Sequence, residues 1–133
     1  MSKKTVYIAG SITDNPEYYA RFTEAENKLL DSGYDALSPA WLPSGLDNAQ
    51  YMRMCLAMID SADAVLFLPD AEKSKGSKLE ALYCDYVKKP IVRNIEDLDE
   101  AVRHLYLMSD AAALEALEEG KKRRSTTNAR KNS

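Results

Sequence analysis

One stretch of the sequence joins a polar, glycine-containing loop to a carboxylate at the start of a predicted helix. Ser74, Gly76 and Ser77 lie in the loop, and Glu80 follows in what the pattern indicates is the first helical turn. A helix N-terminus offers unpaired backbone N–H groups and a partial positive charge, which attract phosphate and keep a nearby carboxylate ionised. We therefore expect the chemistry of this protein to centre on this stretch.

Glu80 has two interpretations from the residues alone. A carboxylate in such a setting suits glycosidic chemistry, in which it attacks or stabilises an oxocarbenium-like carbon. Alternatively, Ser77 and Glu80 match the capping box S-x-x-E, in which the glutamate folds back onto the Ser77 backbone N–H. Capping boxes are common, so the pattern by itself favours the second interpretation and leaves the first open.

Other catalytic chemistries have little support in the sequence. The single histidine, His104, lies in a charged helical segment away from this stretch, so we find no His/Ser or His/Cys arrangement for acyl transfer. Cys55 and Cys84 fall inside helical patterns without the spacing of a zinc site, and we interpret both as reduced thiols. We expect no metal and no other cofactor.

Strand and helix patterns alternate along the chain. Short β-branched or aromatic runs predict strands at 5–9, 34–38, 63–69 and 91–92. Helical periodicity predicts five helices. The first begins at Pro16, with Asn15 as its N-cap, and ends at a C-terminal cap at Gly33. The second covers 48–61, the third runs from the 74–80 stretch to 89, and the last two cover 96–108 and 110–119. In the third of these helices, the predicted core face carries Leu79, Leu82, Tyr83 and Tyr86.

This alternation predicts an α/β fold, a small doubly wound (Rossmann/flavodoxin-like) parallel sheet of about four to five strands with helices on both faces. Ligands of such sheets bind at the carboxyl ends of the strands. The loops Gly10–Ser11, Ser38–Pro39 and Asp70–Glu80 should therefore converge on one ligand. Trp41, in the loop after the second strand, could line that pocket or pin its own loop to the core.

Composition limits the domain organisation and the partners. The chain has 133 residues and a formal charge of -3, but the last 14 residues carry six basic and no acidic side chains, which leaves 12 basic against 21 acidic residues in the rest. We expect one domain over 1–119 and a disordered basic tail over 120–133. An acidic body makes nucleic acid an unlikely partner. No apolar run approaches the roughly 18 residues of a membrane span, so we expect a soluble, cytoplasmic protein.

The motifs occur in an order that resembles a known family. The segments Val6–Ile12, Ser61–Val65, Ser74–Glu80 and Ala81–Ile91 look like successive signatures of the nucleoside 2-deoxyribosyltransferase-like superfamily, over residues 5–93. Within it, the Gly-Ser-Ile turn and the serine six positions before the glutamate resemble the 2′-deoxynucleoside 5′-phosphate N-hydrolases. The whole chain is most similar to a phage and bacterial branch of the superfamily.

The resemblance implies a role for each matching residue. Glu80 would be the nucleophile that attacks C1′ of the sugar, and Tyr7 would orient it. Gly10, Ser11 and Ser74 would belong to a 5′-phosphate site, which favours a nucleotide over a free nucleoside. The family also implies homo-oligomers whose neighbouring subunits help to close the site.

The sequence departs from the family at Cys55, where an aspartate normally handles the proton of the departing base. A thiol is a poor substitute, because its ordinary pKa is near ~8.5. Tyr51, one turn earlier on the same predicted helix, and Asp70 are the candidate replacements. We therefore keep three hypotheses: an N-glycosidase acting on nucleoside 5′-monophosphates, a nucleotide-binding or sensing protein without turnover, and a deoxyribosyltransferase.

Overall fold

The computed structural model describes residues 3–13, 15–107 and 117–120, with residues 104–107, among them His104, as backbone only. The helices and strands, in chain order, are β1 (Thr5–Ala9), α1 (Tyr18–Asp31), β2 (Asp35–Leu37), α2 (Asn48–Ser61), β3 (Ala64–Phe67), α3 (Lys75–Val87), β4 (Ile91–Val92) and α4 (Leu98–Leu107). Short 3-10 turns occupy Pro39–Trp41, Pro69–Lys73 and Ile95–Asp97.

The strands form one parallel sheet in the order β2-β1-β3-β4. Side chains alternate along β1, so Val6 and Ile8 enter one core with α1, whereas Tyr7 and Ala9 enter another with α2 and α3. The sheet therefore has helices on both faces, and the predicted doubly wound α/β fold is confirmed. The carboxyl ends of β1, β2 and β3 lie along the same edge.

The starts of the first two helices follow local capping chemistry. The helix α2 begins at Asn48 as expected, because the Asp47 carboxylate accepts the Gln50 N–H at 2.8 Å and the Gln50 side chain accepts the Asp47 N–H at 3.0 Å. The helix α1 begins two residues later than the sequence predicts. Asn15 accepts the Glu17 N–H at 3.2 Å and forms a turn ahead of the helix instead of capping it.

Gly33 lies just beyond the end of α1 with φ of +91°, as predicted for a C-terminal cap. A left-handed backbone costs glycine little because it has no Cβ. The chain can therefore reverse directly from α1 into β2.

The predicted core face of α3 is wrong. Leu79, Leu82 and Tyr86 are 49%, 69% and 87% exposed, whereas the buried residues of this helix are Ser77, Glu80 and Cys84. Of the predicted face, only Tyr83 packs against the core. The face of α3 that packs on the sheet carries small and polar side chains. Ser77 and Glu80 are on this face and lie at the edge where the strands end. The larger apolar residues of α3 are left in solvent.

The C-terminal part of the chain is described only in part. Residues 117–120 form a helical turn that includes Gly120, but most of the predicted helix over 110–119 and the basic tail after residue 120 lie outside the described residues. The domain boundary at residue 119 therefore stays a prediction. Among the helices that the structure describes, none has the length and apolar character needed to span a membrane.

Candidate active site

A cavity of about 940 Å³ opens at the carboxyl ends of the strands. The three loops predicted to converge all contribute to it, together with the first turns of α2 and α3. Its lining residues are Gly10, Ser11, Ile12, Thr13, Tyr18, Pro39, Ser44, Leu46, Asn48, Ala49, Tyr51, Met52, Cys55, Lys73, Ser74, Lys75, Gly76, Ser77, Leu79 and Glu80. Its volume is in the range of small-molecule sites in proteins.

Glu80 lies in the wall of this cavity as a buried carboxylate, only 6% exposed. Its Oε2 atom has no hydrogen-bond partner among the described residues. Burial raises the pKa of Glu80 from 4.5 to about 7, and the Tyr7 hydroxyl acts in the opposite direction. Glu80 is therefore a buried residue of the cavity wall with one carboxylate oxygen that is unpaired among the described residues.

The capping-box interpretation of Glu80 is wrong. Ser74 is the N-cap of α3, and its Oγ accepts the Ser77 N–H at 3.2 Å. Glu80 thus falls in the second turn, not the first, and cannot serve as the capping glutamate. The Ser77 hydroxyl instead donates to the Gly10 carbonyl at 3.1 Å, which joins α3 to the end of β1.

Tyr7 lies in the centre of β1, fully buried, behind Glu80 and not in the cavity wall. Its hydroxyl is beside the Glu80 carboxylate and the Cys55 thiol and lowers the pKa of both. It makes no hydrogen bond of normal geometry to a described residue. Burial raises the pKa of Tyr7 well above its usual value, so it remains a neutral phenol. Tyr7 can position Glu80 but does not reach the cavity itself.

The N-terminus of α3 provides the anion-binding groups that the sequence predicts. Ser74, Gly76 and Ser77 all line the cavity. The backbone N–H groups of Lys75 and Gly76 belong to the first turn and have no partner among the described residues, as is normal where a helix starts. This end of the cavity is suited to a phosphate or carboxylate.

Lys73 and Lys75, which the sequence motifs did not indicate as site residues, flank Ser74 and line the same cavity. Neither ammonium group forms an ion pair with a described residue. The signal was present, because a lysine stands on each side of the predicted phosphate-binding serine. Two basic residues thus belong to the cavity wall of an otherwise acidic protein.

The turn after β1 brings Gly10 and Ser11 to the cavity as expected. A Cβ atom at Gly10 would lie 3.0 Å from Leu68 Cδ1, 3.1 Å from Phe22 Cζ and 3.2 Å from Asp70 Oδ1. A side chain at this position would require the three neighbouring side chains to shift by a few tenths of an ångström, so the close packing favours glycine here.

The residues that the sequence offers as proton donors to a departing base differ in their placement. Cys55 and Tyr51 line the cavity. Burial raises the pKa of the Cys55 thiol to about 11, so the thiol is protonated at neutral pH. The Tyr51 hydroxyl donates to the Pro39 carbonyl at 2.8 Å, and burial raises its pKa as well.

The other two candidate residues are not brought into the cavity. The Asp70 carboxylate instead accepts the Ser11 N–H and the Asn15 side-chain amide, both at 3.2 Å. Trp41 is half exposed, and its indole N–H donates to Glu26 at 3.1 Å. The structure supports neither Asp70 as a replacement acid nor Trp41 as a wall of the pocket.

Comparison with known proteins gives a family and a fold. A family model described as a domain of unknown function, DUF4406, matches residues 4–93. A search of curated proteins finds no match. Among solved structures, a 2-deoxyribosyltransferase from the psychrotolerant bacterium Bacillus psychrosaccharolyticus is similar, with 21% identity and a TM-score of 0.54 over 65% of this chain and 69% of that chain.

At this level of identity, the structural likeness establishes the fold alone, and it agrees with the parallel sheet described above. The family model covers well over half of the 133 residues. The chain therefore belongs to the DUF4406 family and has an α/β fold like that of a 2-deoxyribosyltransferase.

Proposed function

We propose that this protein is an N-glycosidase that hydrolyses the base–sugar bond of a nucleoside or deoxynucleoside 5′-monophosphate, with Glu80 as the nucleophile. The observation that carries the proposal is the buried Glu80, whose carboxylate Oε2 has no partner among the described residues and which lines a cavity with anion-binding groups nearby. Leaving such a group unpaired is costly, and unpaired buried polar atoms are uncommon outside functional sites. The fold, shared with a 2-deoxyribosyltransferase, agrees with this class of chemistry.

The proposed reaction has two steps. The ionised Glu80 carboxylate attacks C1′, a C–O bond forms, and the C–N bond breaks with its electron pair leaving on the base. Water then attacks C1′ of the glycosyl ester, releases the sugar phosphate and returns Glu80 to its carboxylate form. The proton that water loses balances the proton that the departing base gains. Tyr7 stays neutral behind the carboxylate and holds it in position.

The groups around α3 favour a phosphorylated substrate over a free nucleoside. The Ser11 and Ser74 hydroxyls, the free N–H groups of the first turn and the two lysines all belong to the cavity wall. A phosphate carries a charge of about -2 near neutral pH and is stabilised by such donors and cations. A neutral 5′-hydroxyl would gain much less from them.

A protein that binds nucleotides without turnover is the second candidate, and the chemistry of the base side of the cavity favours it. Among the described lining residues, Glu80 is the only carboxylate. Cys55 stands where the superfamily that the sequence resembles has an aspartate. A thiol with a pKa of about 11 transfers a proton to a departing base slowly at neutral pH. A deoxyribosyltransferase is the third candidate, with a second base in place of water.

A panel of ribo- and deoxynucleoside 5′-monophosphates, analysed for free base by chromatography, separates these candidates. We expect base release by the wild-type protein and its loss in Glu80→Gln. The matched control is Glu72→Gln, which removes an exposed carboxylate that pairs with Arg93 at 2.9 Å. Saturable binding without base release would favour the sensing protein, and base exchange on adding an acceptor base would favour the transferase. Unchanged activity in Glu80→Gln would contradict the mechanism.

We also propose that the protein forms homo-oligomers through the exposed apolar face of α3. Leu82 and Tyr86 are largely exposed there, and Leu79, which is half exposed on the same helix, also lines the cavity. Contiguous exposed apolar side chains of this kind are typical of contact surfaces. A second copy on this face would cover the helix next to the cavity. A role in cytoplasmic nucleotide metabolism follows from the proposed substrates.

A further inference from the structure

We infer that Asp70 is a positioning residue that fixes the turn after β1 so that the Ser11 hydroxyl faces the substrate phosphate. This inference rests on the proposed function, because the 5′-phosphate is the group that the turn would serve. Asp70 does not line the cavity and is thus not a catalytic residue. Its role follows from four contacts on the two sides of one short turn.

The first contacts join Asp70 to the turn itself. Asp70 Oδ1 accepts the backbone N–H of Ser11, and Oδ2 accepts the side-chain amide of Asn15, both at 3.2 Å. The same Asn15 amide donates to the Ser11 carbonyl at 3.0 Å. Side chains therefore hold both backbone polar groups of Ser11: Asp70 holds the N–H and Asn15 holds the carbonyl.

The opposite side of the turn is held by α3. The Ser77 hydroxyl donates to the Gly10 carbonyl at 3.1 Å, and the absence of a side chain at Gly10 lets Asp70 approach. Gly10 and Ser11 are thus fixed between the 3-10 turn that carries Asp70 and the helix that carries Glu80. A fixed turn presents a hydroxyl at lower entropic cost than a free loop does.

This arrangement determines which Ser11 group can meet an anion. Because Asp70 occupies the Ser11 N–H, the backbone amide is not available to a phosphate. Ser11 lines the cavity, and its hydroxyl makes no hydrogen bond to a described residue, so the hydroxyl is the group left for an anion. The Arg21 guanidinium lies 3.5 Å from Asp70 Oδ2, the oxygen that does not accept the Ser11 N–H, and offsets part of the negative charge. A carboxylate can therefore support a phosphate-binding turn without facing the phosphate.

The first test needs no ligand. Hydrogen exchange of the Ser11 amide, followed by NMR, should be slow in the wild-type protein and about tenfold faster or more in Asp70→Ala, because a hydrogen bond to a charged group is lost. Asp70→Asn retains an acceptor oxygen and should restore most of the protection. The control Glu72→Gln lies on the same 3-10 turn and should leave the exchange unchanged. Equal Ser11 exchange in the wild type and both Asp70 variants would overturn the inference.

The second test uses deoxyadenosine 5′-monophosphate and deoxyadenosine in titration calorimetry, together with the other three deoxynucleotide pairs and the four ribonucleotide pairs. Asp70→Ala should weaken monophosphate binding by about tenfold and nucleoside binding by less than about twofold, with Asp70→Asn between them. Equal losses for both ligands would show a merely structural residue and contradict the inference. If the wild-type protein binds none of the monophosphates, the proposed function and the phosphate step both fail, whereas the exchange pattern still decides whether Asp70 holds the turn.

Discussion

At the scale of single residues, Glu80 is held in surroundings that disfavour its charge. Burial is the largest influence on its pKa, and the neighbouring Tyr7 hydroxyl offsets only part of it. A carboxylate that titrates near pH 7 is ionised in about half of the molecules at neutral pH and is a stronger base than an exposed glutamate. The buried carboxylate therefore lowers the stability of the folded protein at neutral pH and is at the same time more reactive.

The stability cost of Glu80 has a definite pH dependence. Its pKa is raised from 4.5 to about 7 on folding, so the folded state binds more protons than the unfolded state between these values, and stability is lost as the pH rises through this window. Glu80→Gln removes the charge and with it this pH dependence. The unfolding free energy of the variant minus that of the wild type should therefore be on the order of 3 kcal/mol more positive at pH 8 than at pH 4. Urea unfolding at both pH values measures this difference. No pH dependence, or one of opposite sign, would contradict the assignment.

Tyr7 should act through the Glu80 pKa. Because its hydroxyl lowers that pKa, Tyr7→Phe should shift the acidic limb of the kcat/KM profile upward, with base release as the readout. The substrate phosphate also titrates, near pH ~6, but its contribution is the same for both proteins, so the shift reports the enzyme. Cys84→Ser, a change in another buried residue of the same core, provides a control for general loosening. A profile that falls with Tyr7→Phe at every pH without shifting would show a packing role only.

At the scale of elements, the sequence predicts the strands and the range 48–61 of α2 well, because buried β-branched runs and the cap before Asn48 are local signals. It fails at α3 for a physical reason. The orientation of this helix follows the contact of Ser77 with Gly10 and the placement of Glu80, which no hydrophobic periodicity encodes. The capping-box pattern indicated Ser77 as the N-cap of α3, whereas the structure has Ser74. Both positions are serine, and only packing decides between them.

Ser74 combines a cap and a cavity group, and Ser74→Asp separates the two roles. Aspartate caps helices about as well as serine, so the unfolding free energy should change by less than about 0.5 kcal/mol. Its charge should nevertheless repel a phosphate and weaken monophosphate binding by at least about tenfold, with little effect on the nucleoside. Asn27→Asp on α1 adds the same charge at an exposed position and should change neither quantity. Equal weakening of both ligands would contradict a phosphate site at Ser74.

At the scale of the whole molecule, the acidic composition and the parallel, doubly wound sheet are readable from the sequence, whereas the strand order and the exposed apolar face of α3 are not. The sequence pattern assigned Leu82 and Tyr86 to the core, and the structure leaves them 69% and 87% exposed. Similarly, Cys55 could be placed on a helix, but only the fold shows that it shares the Tyr7 and Glu80 neighbourhood. Long-range contacts of this kind depend on how the elements pack and not on local spacing.

The exposed face of α3 gives a prediction about assembly. Leu82→Glu should shift the protein toward the monomer in sedimentation velocity, because it places a charge in the proposed apolar contact. The control Leu30→Glu alters a partly exposed leucine on α1, on the other side of the sheet, and should leave the assembly unchanged. A wild-type protein that stays monomeric at high concentration would contradict the proposed contact.

The most direct test of the central claim is mass spectrometry of the protein quenched during turnover of the best 5′-monophosphate. We expect a covalent adduct with the mass of the sugar phosphate less one water on the peptide that contains Glu80, absent from Glu80→Gln and present in Glu72→Gln. Base release with an adduct on another residue, or base release that persists in Glu80→Gln, would contradict it.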